Sequence, residues 1–133
     1  MLSLGLNNVN VVGNIVEIPP LVNFPEDGRV KLYMSCRITK LKGLHTVSDA
    51  LDYVVFGRVS DLAYFEDLKL GKKYLGEYRS FDEVLVETMS NSRPILIHPS
   101  FEEGLSNSIL EALSYGIPVV ARNIKANLVF EEN

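Results

Sequence analysis

One cysteine, no tryptophan and only two histidines occur among the 133 residues of this chain. Cys36 alone can close no internal disulfide, and one cysteine with His45 and His98 is too sparse a set for a zinc site. No apolar run approaches the roughly 20 residues a helix needs to cross a bilayer. The start, Met-Leu-Ser-Leu-Gly-Leu, has neither the basic flank nor the length of a signal peptide, so a cytosolic (cytoplasmic) protein is the expectation. Net charge is −4, with 13 Lys and Arg against 17 Asp and Glu, and the basic residues are scattered. Without a basic cluster, non-specific binding to nucleic acid or to an anionic membrane surface is disfavoured. Hydrophobic residues make up 47% of the chain, enough for one sizeable core. The expectation is therefore one domain over residues 1–133. Its lead-in, residues 1–29, is linker-like, with turns at Pro19-Pro20 and Pro25-Glu26-Asp27-Gly28.

What the chain does have is alternation. Short apolar runs at 30–36, 52–57, 72–76, 94–97 and 119–120 read as strands, and the segments 60–69 and 81–90 read as helices. In the second helix Val84, Leu85, Thr88 and Met89 are available for a buried face. A further short helix of about eight residues is expected after Gly43, with His45 on its surface, and a crossover that compressed could distort the sheet. Alternation of this kind predicts an α/β fold, a mostly parallel sheet flanked by helices, which binds ligands at the carboxyl ends of its strands. Arg37, Gly57, the turn Gly76-Glu77-Tyr78 and the loop from His98 to Gly104 all fall on that edge. An oligonucleotide-binding barrel over residues 9–78 is a competing reading of the same runs. It lacks a basic, aromatic-studded face and leaves residues 94–120 unexplained.

The richest segment is PILIHPSFEEGLSNSILEALSYGIPVVARN. Pro94-Ile95-Leu96-Ile97 suits a strand buried on both faces, and His98-Pro99-Ser100 breaks it. Ser106 or Asn107 can cap a helix with Ile109, Leu110 and Leu113 on its apolar side, and Gly116 with Pro118 ends it. The free N–H groups at that helix start, with the positive end of its dipole, suit an anion. Glu103 lies in the loop before the helix, and Glu111 sits about one turn in, pointing back toward the same mouth. A carboxylate can accept two hydrogen bonds from a vicinal diol. Two such clamps around a phosphate cradle suit a nucleotide sugar. Acidic residues also favour helix starts with no ligand at all.

Glu103-x7-Glu111, with HPS before it and EALSYGIPVVA after it, closely resembles the donor-site motif of the retaining glycosyltransferases of family 4, also called glycosyltransferase group 1. The resemblance implies that Glu103 contacts a hexose and Glu111 a ribose, with Gly104, Leu105, Ser106 and Asn107 supplying the cradle between them. His98 reads either as a further donor contact or as a strand-end histidine satisfied by backbone. The stretch from Arg37 to Gly43 looks like the family's second donor motif, Gly-Arg-x4-Lys-Gly, with Cys36 where the family usually has Gly. By that resemblance Arg37 and Lys42 stabilise the departing diphosphate in place of a metal ion; read alone, they are a solvated basic turn. Glu103, Arg37 and Lys42 are thus the candidate catalytic residues.

The resemblance further implies one Rossmann-like domain, half of the two-domain arrangement called GT-B, truncated at both ends as a fragment, a shortened gene product or a subunit. It implies no cofactor and no metal, a nucleoside diphosphate sugar as donor substrate, and an acceptor-domain subunit or missing domain as partner. The alternatives are a non-catalytic nucleotide-sugar-binding or regulatory module, and an inactive remnant.

Overall fold

The computed structural model describes residues 23–88 and 91–131. Five strands, β1 (Arg29–Ser35), β2 (Tyr53–Phe56), β3 (Tyr74–Gly76), β4 (Ser92–His98) and β5 (Val119–Ala121), form one sheet in the order β3-β2-β1-β4-β5. Every pairing is parallel. The helices are α1 (Leu62–Leu68), α2 (Phe81–Thr88) and α3 (Asn107–Ser114). The expected α/β fold is present, and the barrel is excluded by the parallel ladder. Most of the lead-in, residues 1–22, lies outside the described residues; its last turn is closed by Gly28 N–H on the Pro25 carbonyl at 3.0 Å.

Side chains alternate across the strands, so both faces of the sheet are buried. Tyr33, Val54, Phe56 and Leu96 face α2 and α3, where Phe81, Val84, Leu85, Ile109, Ala112 and Ile117 complete one core. Their neighbours Met34, Tyr53 and Val55 face the other way, onto Ile38, Leu44 and Leu70, with Tyr64 and Phe65 of α1 packed alongside. Each large side chain so buried contributes roughly 1.5–3 kcal/mol relative to exposure. The two cores therefore hold β1 from both sides.

Three expectations change. The buried side of α3 is Ile109 with Ala112, while Leu110 is half-buried and Leu113 is 45% exposed, because only the line through 109 and 112 meets the sheet. On α2, Val84 and Leu85 are buried as expected; Met89 and the Thr88 side chain lie outside what is described. No α-helix follows Gly43. The chain makes two 3₁₀ turns there, Lys40–Lys42 and Leu44–Thr46, with His45 exposed on the second. Thr46 Oγ1 donates to the Gly43 carbonyl at 2.7 Å, and the Ala50 N–H donates to Ser48 Oγ at 3.3 Å. Such local bonds compete with a helical ladder. Gly43 itself is wedged under the loop after β4, since a Cβ on it would stand 2.2 Å from the Pro99 carbonyl oxygen. The compressed crossover leaves β1 and β2 in unbroken register from Leu32↔Tyr53 to Ser35↔Phe56; the irregularity falls instead between β2 and β3, at Val55 and Phe56.

From β1 the chain runs outward through β2 and β3, then returns to place β4 on the other side of β1. The connections leaving β1 and β4 thus pack on opposite faces of the sheet, which places a crevice at the switch point between them. Among the described residues no helix is long and apolar enough to cross a membrane.

Candidate functional site

Two adjoining cavities occupy that edge. One, of about 520 Å³, is lined by Lys42, His98, Glu103, Leu105 and Ser106 among others. The second, of about 380 Å³, is lined by Gly57, Arg58, Glu77, Tyr78 and Glu111 among others. Cys36, Arg37, Asn107 and Ser108 line both, so they form a shared wall between a Glu103 end and a Glu111 end. Of the candidate catalytic and donor-binding residues, all but Gly104 border this pair. A larger hollow of about 650 Å³ lies against Phe24, Arg93 and Pro118, at the amino ends of β1 and β4. It sits opposite the edge where parallel sheets bind ligands.

The two loops are fastened together by backbone and charge. The Phe101 N–H donates to the Leu41 carbonyl at 2.9 Å. Arg122, just past β5, donates from Nε to the Pro99 carbonyl and from Nη2 to Thr46 Oγ1, both at 2.9 Å, with its guanidinium 4.1 Å from the centroid of Phe101. These contacts bring Lys42 to Glu103, and Lys42 Nζ donates a hydrogen bond to Glu103 Oε1 within an ion pair.

Glu103 is mostly buried. Burial works to raise its pKa, but the hydrogen bond and charge of Lys42, with the charge of His98 and the nearby Ser100 hydroxyl, outweigh it and hold the carboxyl below its ordinary value. His98 Nε2 lies 3.3 Å from the same oxygen. Burial pushes the imidazole pKa down, against the pull of Glu103, so His98 is neutral at pH 7. A proton on Nε2 is the tautomer that serves the carboxylate. Nε2 is also 2.9 Å from Ser106 Oγ, which accepts from the Ile109 N–H and caps α3. With the proton on Nε2, Ser106 Oγ accepts from both the ring and the Ile109 N–H, so its lone pairs are taken up by the fold.

At the other end, Glu111 is half-buried and its pKa is raised by desolvation. Ser108 Oγ donates to the Ser35 carbonyl, and the Ser35 hydroxyl is bonded to Tyr78 OH, which ties the start of α3 and the turn after β3 to the end of β1. Sequence reasoning missed Ser35, Ser108 and Arg58; Ser108, two residues into a helix that faces a crevice, was the one with a signal. Burial lifts the Cys36 thiol to about 12, so it stays protonated at neutral pH and is no nucleophile.

An open parallel sheet flanked by helices, with a polar crevice at its carboxyl edge, defines a Rossmann-like α/β domain. The family model for glycosyl transferases group 1 matches residues 37–133, the greater part of the chain, and the chain belongs to that family. No curated protein matches it. Glycosyl transfer is accordingly the general chemistry of this domain.

Proposed function

We propose that the chain is the donor-binding half of a retaining glycosyltransferase, holding a nucleoside diphosphate sugar across the two cavities while another domain or subunit presents the acceptor hydroxyl. The observation that carries this reading is the shared wall of Cys36, Arg37, Asn107 and Ser108, with one glutamate at each end. In this pose the hexose lies by Glu103 and the ribose by Glu111. The diphosphate rests between them on the N–H groups at the start of α3, with Arg37 and Lys42 beside it.

The acceptor oxygen bonds to the anomeric carbon on the face from which the diphosphate leaves. The bond from that carbon to the phosphate oxygen breaks, and the hydroxyl proton passes to the departing phosphate. Charge grows on the diphosphate as this happens, so the two cations beside it stabilise the transition state more than the ground state. No protein base is required.

Thermal unfolding with UDP, GDP and ADP tests the first half of the claim, since a ligand at 100 times its dissociation constant stabilises by about 2.7 kcal/mol. One nucleotide should raise the midpoint, and Glu111→Ala should remove most of the rise. If none of the three raises it, the donor site is misassigned. Sugar transfer on mixing with an acceptor subunit separates an enzyme half from a binding module.

A further inference from the structure

Lys42 and Glu103 come from loops 61 residues apart, yet each is the other's partner. Their side chains are 24% and 11% exposed, and both line the 520 Å³ cavity with Arg37, His98 and Glu102. We propose that this ion pair is a specificity device that makes the crevice favour a sugar-bearing nucleoside diphosphate over the bare nucleoside diphosphate. The proposal rests on the donor-site reading above.

Arg37 and Lys42 are the two cations that line this cavity, so a diphosphate arriving beside Arg37 draws Lys42 toward itself. Glu103, its side chain only 11% exposed, then keeps only the 3.3 Å contact from neutral His98. A mostly buried carboxylate stripped of its partner is unfavourable by its own desolvation. Hexose hydroxyls at that end of the cavity are donors that restore the bonds. A bare nucleoside diphosphate brings none, so it binds against the pair. Once the sugar has left on the acceptor, the same imbalance favours return of Lys42 to Glu103 and release of the product.

Titration calorimetry on the full chain, with matched pairs UDP and UDP-glucose, GDP and GDP-mannose, ADP and ADP-glucose, tests this directly. In Glu103→Gln the bare diphosphate should bind roughly five- to tenfold tighter and the sugar-bearing form more weakly, so that the preference between them shrinks or inverts. Glu102→Gln removes the same charge from the same cavity wall without touching the pair, and should leave the preference as it is. If wild type binds the diphosphates and Glu103→Gln binds the bare form no tighter, the device is refuted and the donor site stands. If none of the six binds either protein, both fall together. Unfolding midpoints check that Glu103→Gln folds, and Glu103→Ser, with the same expected gain for the bare form, serves if it does not.

Discussion

Nε2 of His98 lies 3.3 Å from Oε1 of Glu103, and the histidine side chain is only 4% exposed. The strand end thus supports the loop carboxylate from beneath, and the imidazole does so as a neutral group because burial disfavours its charge.

Acid should therefore destabilise the fold early. The folded pKa of His98 lies below its ordinary 6.5, so between those values the unfolded chain binds the extra proton, and stability falls as pH drops from 6.5. Glu103, depressed below its ordinary 4.5, adds a second loss as pH falls through its folded value. Glu111, raised above 4.5, opposes them, because the folded form takes up its proton first. Denaturant unfolding at a series of pH values should show stability declining from pH 6.5 downward. His98→Gln should flatten the upper part of that decline, and an unchanged profile in the variant would refute the assignment.

Glu111 predicts a pH dependence of ligand affinity with the same sign. Only the ionised carboxylate accepts two hydrogen bonds from ribose hydroxyls, and desolvation keeps the proton on to higher pH than usual. Nucleotide affinity should rise as pH climbs through that raised value and then level off. Glu111→Gln should bind more weakly by about 1–3 kcal/mol and lose the dependence. Dissociation constants measured from pH 4.5 to pH 8 decide it, with an equal slope in the variant pointing to another group.

The strand-loop-helix-strand unit from Pro94 to Val120 was legible in sequence because each boundary there has a local cause: a β-rich apolar run, Ser106 as cap, and Gly116 with Pro118 as terminator. The sheet order was not legible, since strand periodicity says nothing about neighbours. The helix misread after Gly43 shows a different limit. Its residues are apolar and polar in helical proportion, but Thr46 and Ser48 bond locally instead of extending a helical ladder, while Gly43 is packed under the Pro99 carbonyl of a loop more than fifty residues away. The same loop carries Glu103, so the piece of structure that sequence could not see is the piece that brings Glu103 to Lys42. Leu113 is a smaller case: leucine is the more apolar residue, but Ala112 has the direction that meets the sheet.

Ser106→Ala should cost about 1 kcal/mol from the lost helix cap. His98 Nε2 loses its 2.9 Å partner at the same time, so Glu103 should be less firmly placed. Sugar-bearing ligand should weaken more than bare nucleoside diphosphate in this variant. Chemical unfolding together with paired binding measurements separates the two effects, and an equal loss for both ligands would mean the cap alone matters.

Gly57 sets the floor of the Glu111 end, and its requirement for glycine is steric as well as conformational. With φ at +140°, it occupies backbone space that side chains rarely adopt, and a Cβ there would stand 1.7 Å from the Cys36 carbonyl oxygen and 2.7 Å from its carbon. Neither obstacle can swing aside, because both are backbone, held by Cys36 N–H on the Phe56 carbonyl at 3.0 Å and by Gly57 N–H on the Gly76 carbonyl at 2.9 Å. Gly57→Ala must therefore pull the ends of β1 and β2 apart, and with them the shared wall of the two cavities, at a cost of about 3 kcal/mol. Gly104→Ala is the contrast, since a Cβ there meets no atom within 4 Å and should change stability by less than about 0.5 kcal/mol. Equilibrium unfolding of the two variants should differ accordingly. A Gly57→Ala protein as stable as wild type would mean that the approach of Cys36 to Gly57 is not what fixes this edge of the sheet.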